Sequence, residues 1–167
     1  TLAQIVEASA ADDAALVDAL ARQLMDKFGA PSETQARAAA EEMAEQVSGG
    51  MDAIVGVKRD AVFGPVVLTG LGGVWTELLR DSRLRLAPVD EAQALDMLGE
   101  LASAPLLAGW RGALPLDRRA LAALIARVSE VAVKYPEIAE LDLNPVIVLP
   151  EGQGVRVVDV RLLAVSP

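Results

Sequence analysis

The chain has 167 residues, of which 53% are hydrophobic and 23% charged, so it can bury a core and lacks the composition of a disordered protein. It contains neither Cys nor His, which excludes disulfide scaffolds, zinc–thiolate sites, cysteine nucleophiles and a phosphohistidine on this chain. A net charge of −9 and an aromatic content of 3% argue against nucleic-acid binding. The chemistry that remains is that of carboxylates and amides, which suit a hard cation such as Mg²⁺.

The sequence shows no signal for a membrane or for export. No uninterrupted apolar run approaches the roughly 18 to 20 residues of a membrane span. Residues 1–11 lack the basic and apolar regions of a signal peptide. We therefore expect a cytoplasmic location, and a start at Thr1 rather than Met leads us to expect a piece of a longer polypeptide.

Two helices are predicted for residues 1–48, which we treat as a separate N-terminal segment. Asp12 or Asp13 can cap the first helix, whose apolar residues recur every four positions: Leu16, Leu20, Leu24 and Phe28. The second helix is an Ala- and Glu-rich stretch, residues 31–47, that stops at two glycines. Residues 49–167 form the second predicted unit.

In the second unit, strands and helices alternate. Residues 53–57 and 65–68 predict two strands, followed by a glycine-rich turn at 70–73. Asp90 and Asp117 each predict the start of a helix, the first with Leu95, Leu98 and Leu101 on one side and the second closed by Pro136. Residues 141–149 and 155–165 predict two further strands joined by a turn. The fold class is therefore α/β, in the sense of mixed α and β, with a mixed or antiparallel sheet and packed helices.

The hairpin near the C-terminus carries the first candidate site. Strand alternation places Asp142 and Asn144 on one face, and Asp159 on the partner strand can project toward them. Two carboxylates and an amide are a suitable oxygen ligand set for Mg²⁺ with a bound phosphate. The alternative is that these residues form the solvent face of an ordinary hairpin.

Two further features each have two interpretations. The backbone amides of the glycine turn can approach phosphate oxygens, although a tight chain connection explains the same residues: Gly70, Gly72 and Gly73. Glu77 lies in an apolar run, with Asp81 close by, where an ionised carboxylate is costly without a partner. It is either a catalytic group or one half of an ion pair with a nearby arginine: Arg80, Arg83 or Arg85.

Five blocks of sequence resemble, in the same order, the nucleotide-forming acyl-CoA synthetases. These are the ADP-forming acetyl-CoA synthetases, related to the beta subunit of succinyl-CoA synthetase. The similarity covers residues 49–165, about seven-tenths of the chain. These residues resemble the C-terminal half of the family's ATP-grasp domain. The blocks are FGPVV at 63–67, GLGGVWTE at 70–77, RLAP at 85–88, GWRG at 109–112 and PEIAELDLNP at 136–145.

This resemblance implies roles for individual residues. The family's Mg²⁺ ligands fall on Asn144 and Asp159, the hinge residue near adenine on Glu45, and the ribose contact on Asp52. It also implies that Glu77 is a catalytic residue near the phosphate-transfer region, together with the nucleotide-binding glycines Gly70, Gly72 and Gly73.

The leading hypothesis is the C-terminal lobe of an ATP-grasp domain that binds Mg²⁺ and ATP, with ADP as product, for ligation of a carboxylic acid to CoA. This lobe is not expected to act alone. The first ATP-grasp lobe and the CoA-binding domains would come from the same chain or a partner subunit, and homo-oligomer formation is left open.

The alternative is a non-catalytic nucleotide-binding or regulatory module, as in a protein acetyltransferase fusion. A small hydrolase using Asp142 and Glu77 as an acid/base pair is a third, less supported reading.

Overall fold

The computed structural model describes residues 50–72, 81–109 and 114–165. The predicted N-terminal helices lie outside these residues. So do three of the predicted site residues, Glu45, Gly73 and Glu77.

A single antiparallel sheet organises the described residues. Its strands are β1 (Met51–Asp60), β2 (Gly64–Leu71), β3 (Ser82–Leu86), β4 (Ile138–Val148), β5 (Val155–Val157) and β6 (Val160–Ala164). The order across the sheet is β3-β2-β1-β4-β5, and β6 pairs with β4 on the same side as β5. The two strands predicted at 53–57 and 65–68 are confirmed. The predicted turn at 70–73 is wrong in part, because Gly70 and Leu71 still belong to β2.

Two helices cover one face of this sheet. They are α1 (Glu91–Gly99) and α3 (Arg118–Lys134), with the short α2 (Ala104–Leu107) between them. The predicted start of α1 is confirmed, because the Asp90 carboxylate accepts from the backbone N–H of Gln93, whose side chain accepts in turn from Asp90 N–H. Leu95 does not face the core as expected and is 37% exposed. No helix within the described ranges is both long and apolar enough to cross a membrane.

The core lies between the sheet and its helices, and strand alternation builds it. On β1 every second residue contributes to this core, namely Met51, Ala53, Val55 and Val57, and β4 contributes Ile138, Leu141, Leu143, Val146 and Val148. From the helices, Leu121 and Ile125 are fully buried against them. Ile54 is also buried but does not belong to this core cluster. The intervening strand residues point to the other side of the sheet, which α1 and α3 do not cover. We call this side the open face.

A bulge interrupts β4 at Asn144 and Pro145. Ala53 pairs with Val146 and Val55 with Leu143, so Ile54 alone stands opposite two residues of β4. Pro145 has no N–H to contribute to a ladder, and the partner strand breaks beside it. The strand predicted over 155–165 is therefore wrong as a single element: it splits into β5 and β6 around Val158 and Asp159.

Asp117 fixes the start of α3 to the hairpin turn between β4 and β5. Its carboxylate accepts from the N–H of Ala120 at 3.0 Å, and from the N–H groups of Gly152 at 3.0 Å and Gly154 at 2.9 Å. The hydrogen bond from Ala120, with the other two and the charge of Arg119, holds the pKa of Asp117 below its ordinary value. The ionised carboxylate therefore stabilises the fold, and protonation removes that contribution.

We expect Asp117→Ala to lower the free energy of unfolding at pH 7 by about 1 kcal/mol, the usual size of a lost helix cap. Because the folded-state pKa is depressed, the wild-type advantage is complete above the unfolded pKa of about 4 and shrinks as pH falls through the folded pKa. Urea unfolding of both proteins between pH 7 and pH 3 measures this difference. Glu151→Gln, on an exposed turn residue, serves as the control. A wild-type advantage that stays constant down to pH 3 would contradict the assignment.

Candidate functional site

Strand register defines what the open face presents. Residues paired across neighbouring strands lie side by side on one face, so the pairings give one continuous row. That row runs from β3 to β6 and contains Leu84, Leu68, Gly56, Asp142 and Arg161. Along this row the open face is thus apolar on β2 and β3 and polar on β4 and β6, and the change occurs at Gly56.

Asn144 and Asp159 meet beside this row. The backbone N–H of Asn144 donates to the carbonyl oxygen of Asp159 at 3.2 Å, which holds the bulge of β4 against the break between β5 and β6. Both residues are exposed, and the Asp159 carboxylate accepts from the N–H of Val160 at 2.9 Å. The structure therefore brings together the two residues predicted to bind the metal. Asp142 lies two residues before Asn144 on β4, in register with Arg161.

The donor set at this point suits Mg²⁺. An amide oxygen and a carboxylate oxygen on exposed, adjacent strand segments are hard ligands that leave other coordination positions to water or phosphate. Within the described residues, no group of three or more acidic side chains converges into a metal cage.

Asp52 lies further along the open face of β1. It pairs with Ile147, and the N–H of Gly72 donates to its carbonyl oxygen at 2.7 Å. Burial raises the pKa of the Asp52 carboxyl. A Cβ on Gly72 would approach the Asp52 Cβ to 3.1 Å, so the side chain of Asp52 and the backbone of Gly72 already fill the space between them. The predicted ribose contact of Asp52 stays a prediction.

The local structure itself requires a glycine at position 70. A Cβ at this position would lie 2.6 Å from the carbonyl oxygen of Asp81, closer than real Cβ contacts come. Gly70 is buried in β2 and pairs with Ser82. The close passage of the chain at Asp81 therefore requires glycine here, whatever role the backbone has toward a phosphate.

Asp81 has a structural role. It is 5% exposed, and its carboxylate accepts from the N–H of Ala102 at 2.9 Å, the N–H of Ser103 at 2.8 Å and the Ser103 hydroxyl. These bonds fix the start of β3 to the segment between α1 and α2. Asp81 also lies 3.7 Å from an amino group of Arg83.

Two of the arginines proposed as partners for Glu77 have another acid to bind. Both Arg83 and Arg85 reach Glu100 at the end of α1. The side chains of Arg83 and Arg85 point to the face of the sheet that the helices cover, because their register partners, Thr69 and Val67, are buried on that face.

Sequence reasoning did not identify two residues of the open-face row, Gly56 and Arg161. Arg161 follows Asp159 by two positions, so period-two alternation could have placed it on the same side of β6. Gly56 carries a weaker signal, a glycine within a run of strand-forming residues. Their common row became apparent only from the register of β1, β4 and β6.

Comparison with known proteins identifies the family. The profile of the ATP-grasp domain family matches residues 6–163. The chain belongs to the ATP-grasp family, which confirms the fold inferred from the sequence.

The chain's relatives include ADP-forming acyl-CoA ligases. It is 42% identical over 118 residues to 4-hydroxybutyrate–CoA ligase (ADP-forming) of Nitrosopumilus maritimus, covering 71% of this chain and 17% of that protein. It is 46% identical over 97 residues to the beta subunit of acetate–CoA ligase (ADP-forming) I of Pyrococcus furiosus, covering 58% of this chain and 42% of that one. The chain thus spans less than half the length of either relative.

A solved structure shares the fold. It is the dinucleotide-forming acetyl-coenzyme A synthetase 1 of Ca. Korarchaeum cryptofilum, in complex with coenzyme A and Mg-AMPPCP. The two chains superpose with a TM-score of 0.65 and 41% sequence identity, over 80% of this chain and 64% of the other.

Proposed function

We propose that this chain is the nucleotide-binding lobe of an ADP-forming acyl-CoA ligase, with Asn144 and Asp159 as the protein ligands of Mg²⁺. The observation that carries the proposal is the junction of the β4 bulge with the β5–β6 break, where the Asn144 N–H bonds to the Asp159 carbonyl oxygen. Bulges often redirect side chains beside functional sites, and at this one the backbones of the exposed residues Asn144 and Asp159 are hydrogen-bonded to each other, which supports the proposal.

The chemistry follows from these ligands. Bound Mg²⁺ would supply positive charge to phosphate oxygens during transfer of the terminal phosphoryl group. Asn144 and Asp159 would hold it in a fixed place, because their backbones are bonded to one another and β6, which follows Asp159 directly, pairs with β4. Arg161, in register with Asp142, adds a cation to the same face, where it would balance the carboxylates and attract phosphate.

The lobe needs further parts for a complete reaction. The proposal assigns CoA and the acyl group mainly to other domains, and the phosphate carrier to a histidine elsewhere, because this chain has none. The relatives include a separate beta subunit, so those domains can lie in the same polypeptide or in a partner. A cytoplasmic location belongs to the same proposal, since ATP and CoA are substrates of the interior of the cell.

Calorimetric titration of the native full-length polypeptide with AMPPCP tests the proposal. We expect binding in the presence of Mg²⁺ and its loss with excess EDTA, because the metal joins the phosphates to the protein ligands. ADP formation should then require both CoA and a carboxylic acid. Metal-dependent binding without ADP formation, across a panel of acids, would favour the non-catalytic module. Absence of Mg²⁺-dependent binding would contradict nucleotide recognition by this lobe.

A further inference from the structure

Gly56 lies in the middle of the central strand β1, on the open face. It pairs with Leu68 on one side and Asp142 on the other. Glycine in a strand interior weakens the strand by roughly 0.5–1 kcal/mol relative to Ala, because it loses more freedom on folding and contributes no packing. A glycine at this position therefore calls for a physical reason.

The fold of the described residues supplies no such reason. The φ angle of Gly56 does not lie in the left-handed region that favours glycine. A Cβ on Gly56 would lie 3.6 Å from the carbonyl oxygen of Leu141 and 3.7 Å from Oδ1 of Asp142, which are ordinary van der Waals distances. Gly70 and Gly72 differ in this respect, because a Cβ there would come within 2.6 and 3.1 Å of the chain. Of these three glycines, Gly56 alone has room for a Cβ.

The neighbours of Gly56 indicate what kind of ligand fits the space above its backbone on the open face. On one side the row continues to Asp142 and Arg161, next to the proposed metal ligands. On the other side Leu68 and the 57% exposed Leu84 form an apolar wall. Bare backbone between a polar and an apolar surface is typical of a point where a ligand approaches the chain closely.

We propose that Gly56 is the floor of the nucleotide site, where the absence of a side chain lets the metal-bearing phosphate chain lie against the backbone of β1. The inference rests on the proposed function and adds to that site a residue whose contribution is the lack of a side chain. Gly56 thereby acts as a steric determinant of ligand position, and a side chain at this position would displace the phosphates from Asn144 and Asp159.

Two substitutions separate this role from a structural one. Gly56→Ala adds one methyl group, and Gly56→Val adds a side chain that strands favour. We expect Gly56→Ala not to lower the melting temperature, since the Cβ fits and glycine is the weaker strand former. The dissociation constant for Mg-AMPPCP in the native full-length polypeptide should rise about fivefold for Ala and about 100-fold for Val, the range expected for overpacking a tight contact.

Gly99→Ala is the matched control, because Gly99 ends α1 and has nothing within 4 Å of a Cβ. It should leave nucleotide affinity unchanged. Wild-type affinity in Gly56→Val would overturn the inference and leave the proposed function standing. A large fall in the melting temperature of Gly56→Ala would also overturn it, by showing that the fold itself requires glycine. Failure of the wild-type protein to bind Mg-AMPPCP would instead refute the proposed function, and this inference with it.

Discussion

Replacing Asn144 or Asp159 by Ala is expected to lower the rate of ATP-dependent ligation by about 100-fold or more, because each change removes a ligand of the proposed Mg²⁺ site. Both side chains are exposed, so their loss opens no cavity in the core. The melting temperature should therefore stay close to that of the wild-type protein. The measurement is ADP formation in the native full-length polypeptide, with thermal unfolding followed in parallel.

Two further variants sharpen this test. Asp159→Asn keeps an oxygen ligand but loses its charge, so its rate should fall between those of wild type and Asp159→Ala. Glu151→Ala removes an exposed carboxylate from the turn between β4 and β5 and should leave the rate unchanged. If both alanine variants at the proposed site kept wild-type rates, Asn144 and Asp159 would not be metal ligands.

The largest loss of stability from a polar substitution is expected for Asp81→Ala. This change leaves the N–H groups of Ala102 and Ser103 without an acceptor, in surroundings where Ser103 is 4% exposed. The N–H and the hydroxyl of Ser103 are the buried donors that lose their acceptor, and each costs about 1–3 kcal/mol when unpaired, so the free energy of unfolding should fall by about 2–4 kcal/mol. Urea unfolding measures this loss directly.

Asp60→Ala is a close comparison for that experiment. Asp60 also accepts from two backbone N–H groups, those of Val62 and Phe63, but it does so on an exposed hairpin turn. Water can replace an exposed acceptor, so this variant should lose much less stability than Asp81→Ala. Equal losses in the two variants would show that burial is not the source of the effect at Asp81.

Local patterns were sufficient to predict most of the described elements. The capping box of Asp90 and Gln93 and the cap at Asp117 were readable because a helix start depends on side chains three residues apart. The strand β3 was missed because it is five residues long and two of them are arginines, whose side chains reach a helix that only the folded chain brings near. Leu95 was misplaced because its periodicity fits the buried face, while Ala94 and Met97 fill it instead.

For the candidate site, too, one part could be predicted from the sequence and the other part depended on the tertiary structure. The sequence alone was sufficient to propose Asn144 and Asp159 as oxygen ligands and to give their order along the chain. It was sufficient because strand alternation and the family's motifs depend only on spacing. It could not determine their alignment, since one bulge residue shifts all the pairing that follows it. Only the folded sheet set Gly56, Asp142 and Arg161 in one row, because pairing between strands distant in the sequence is decided by the shared core beneath them.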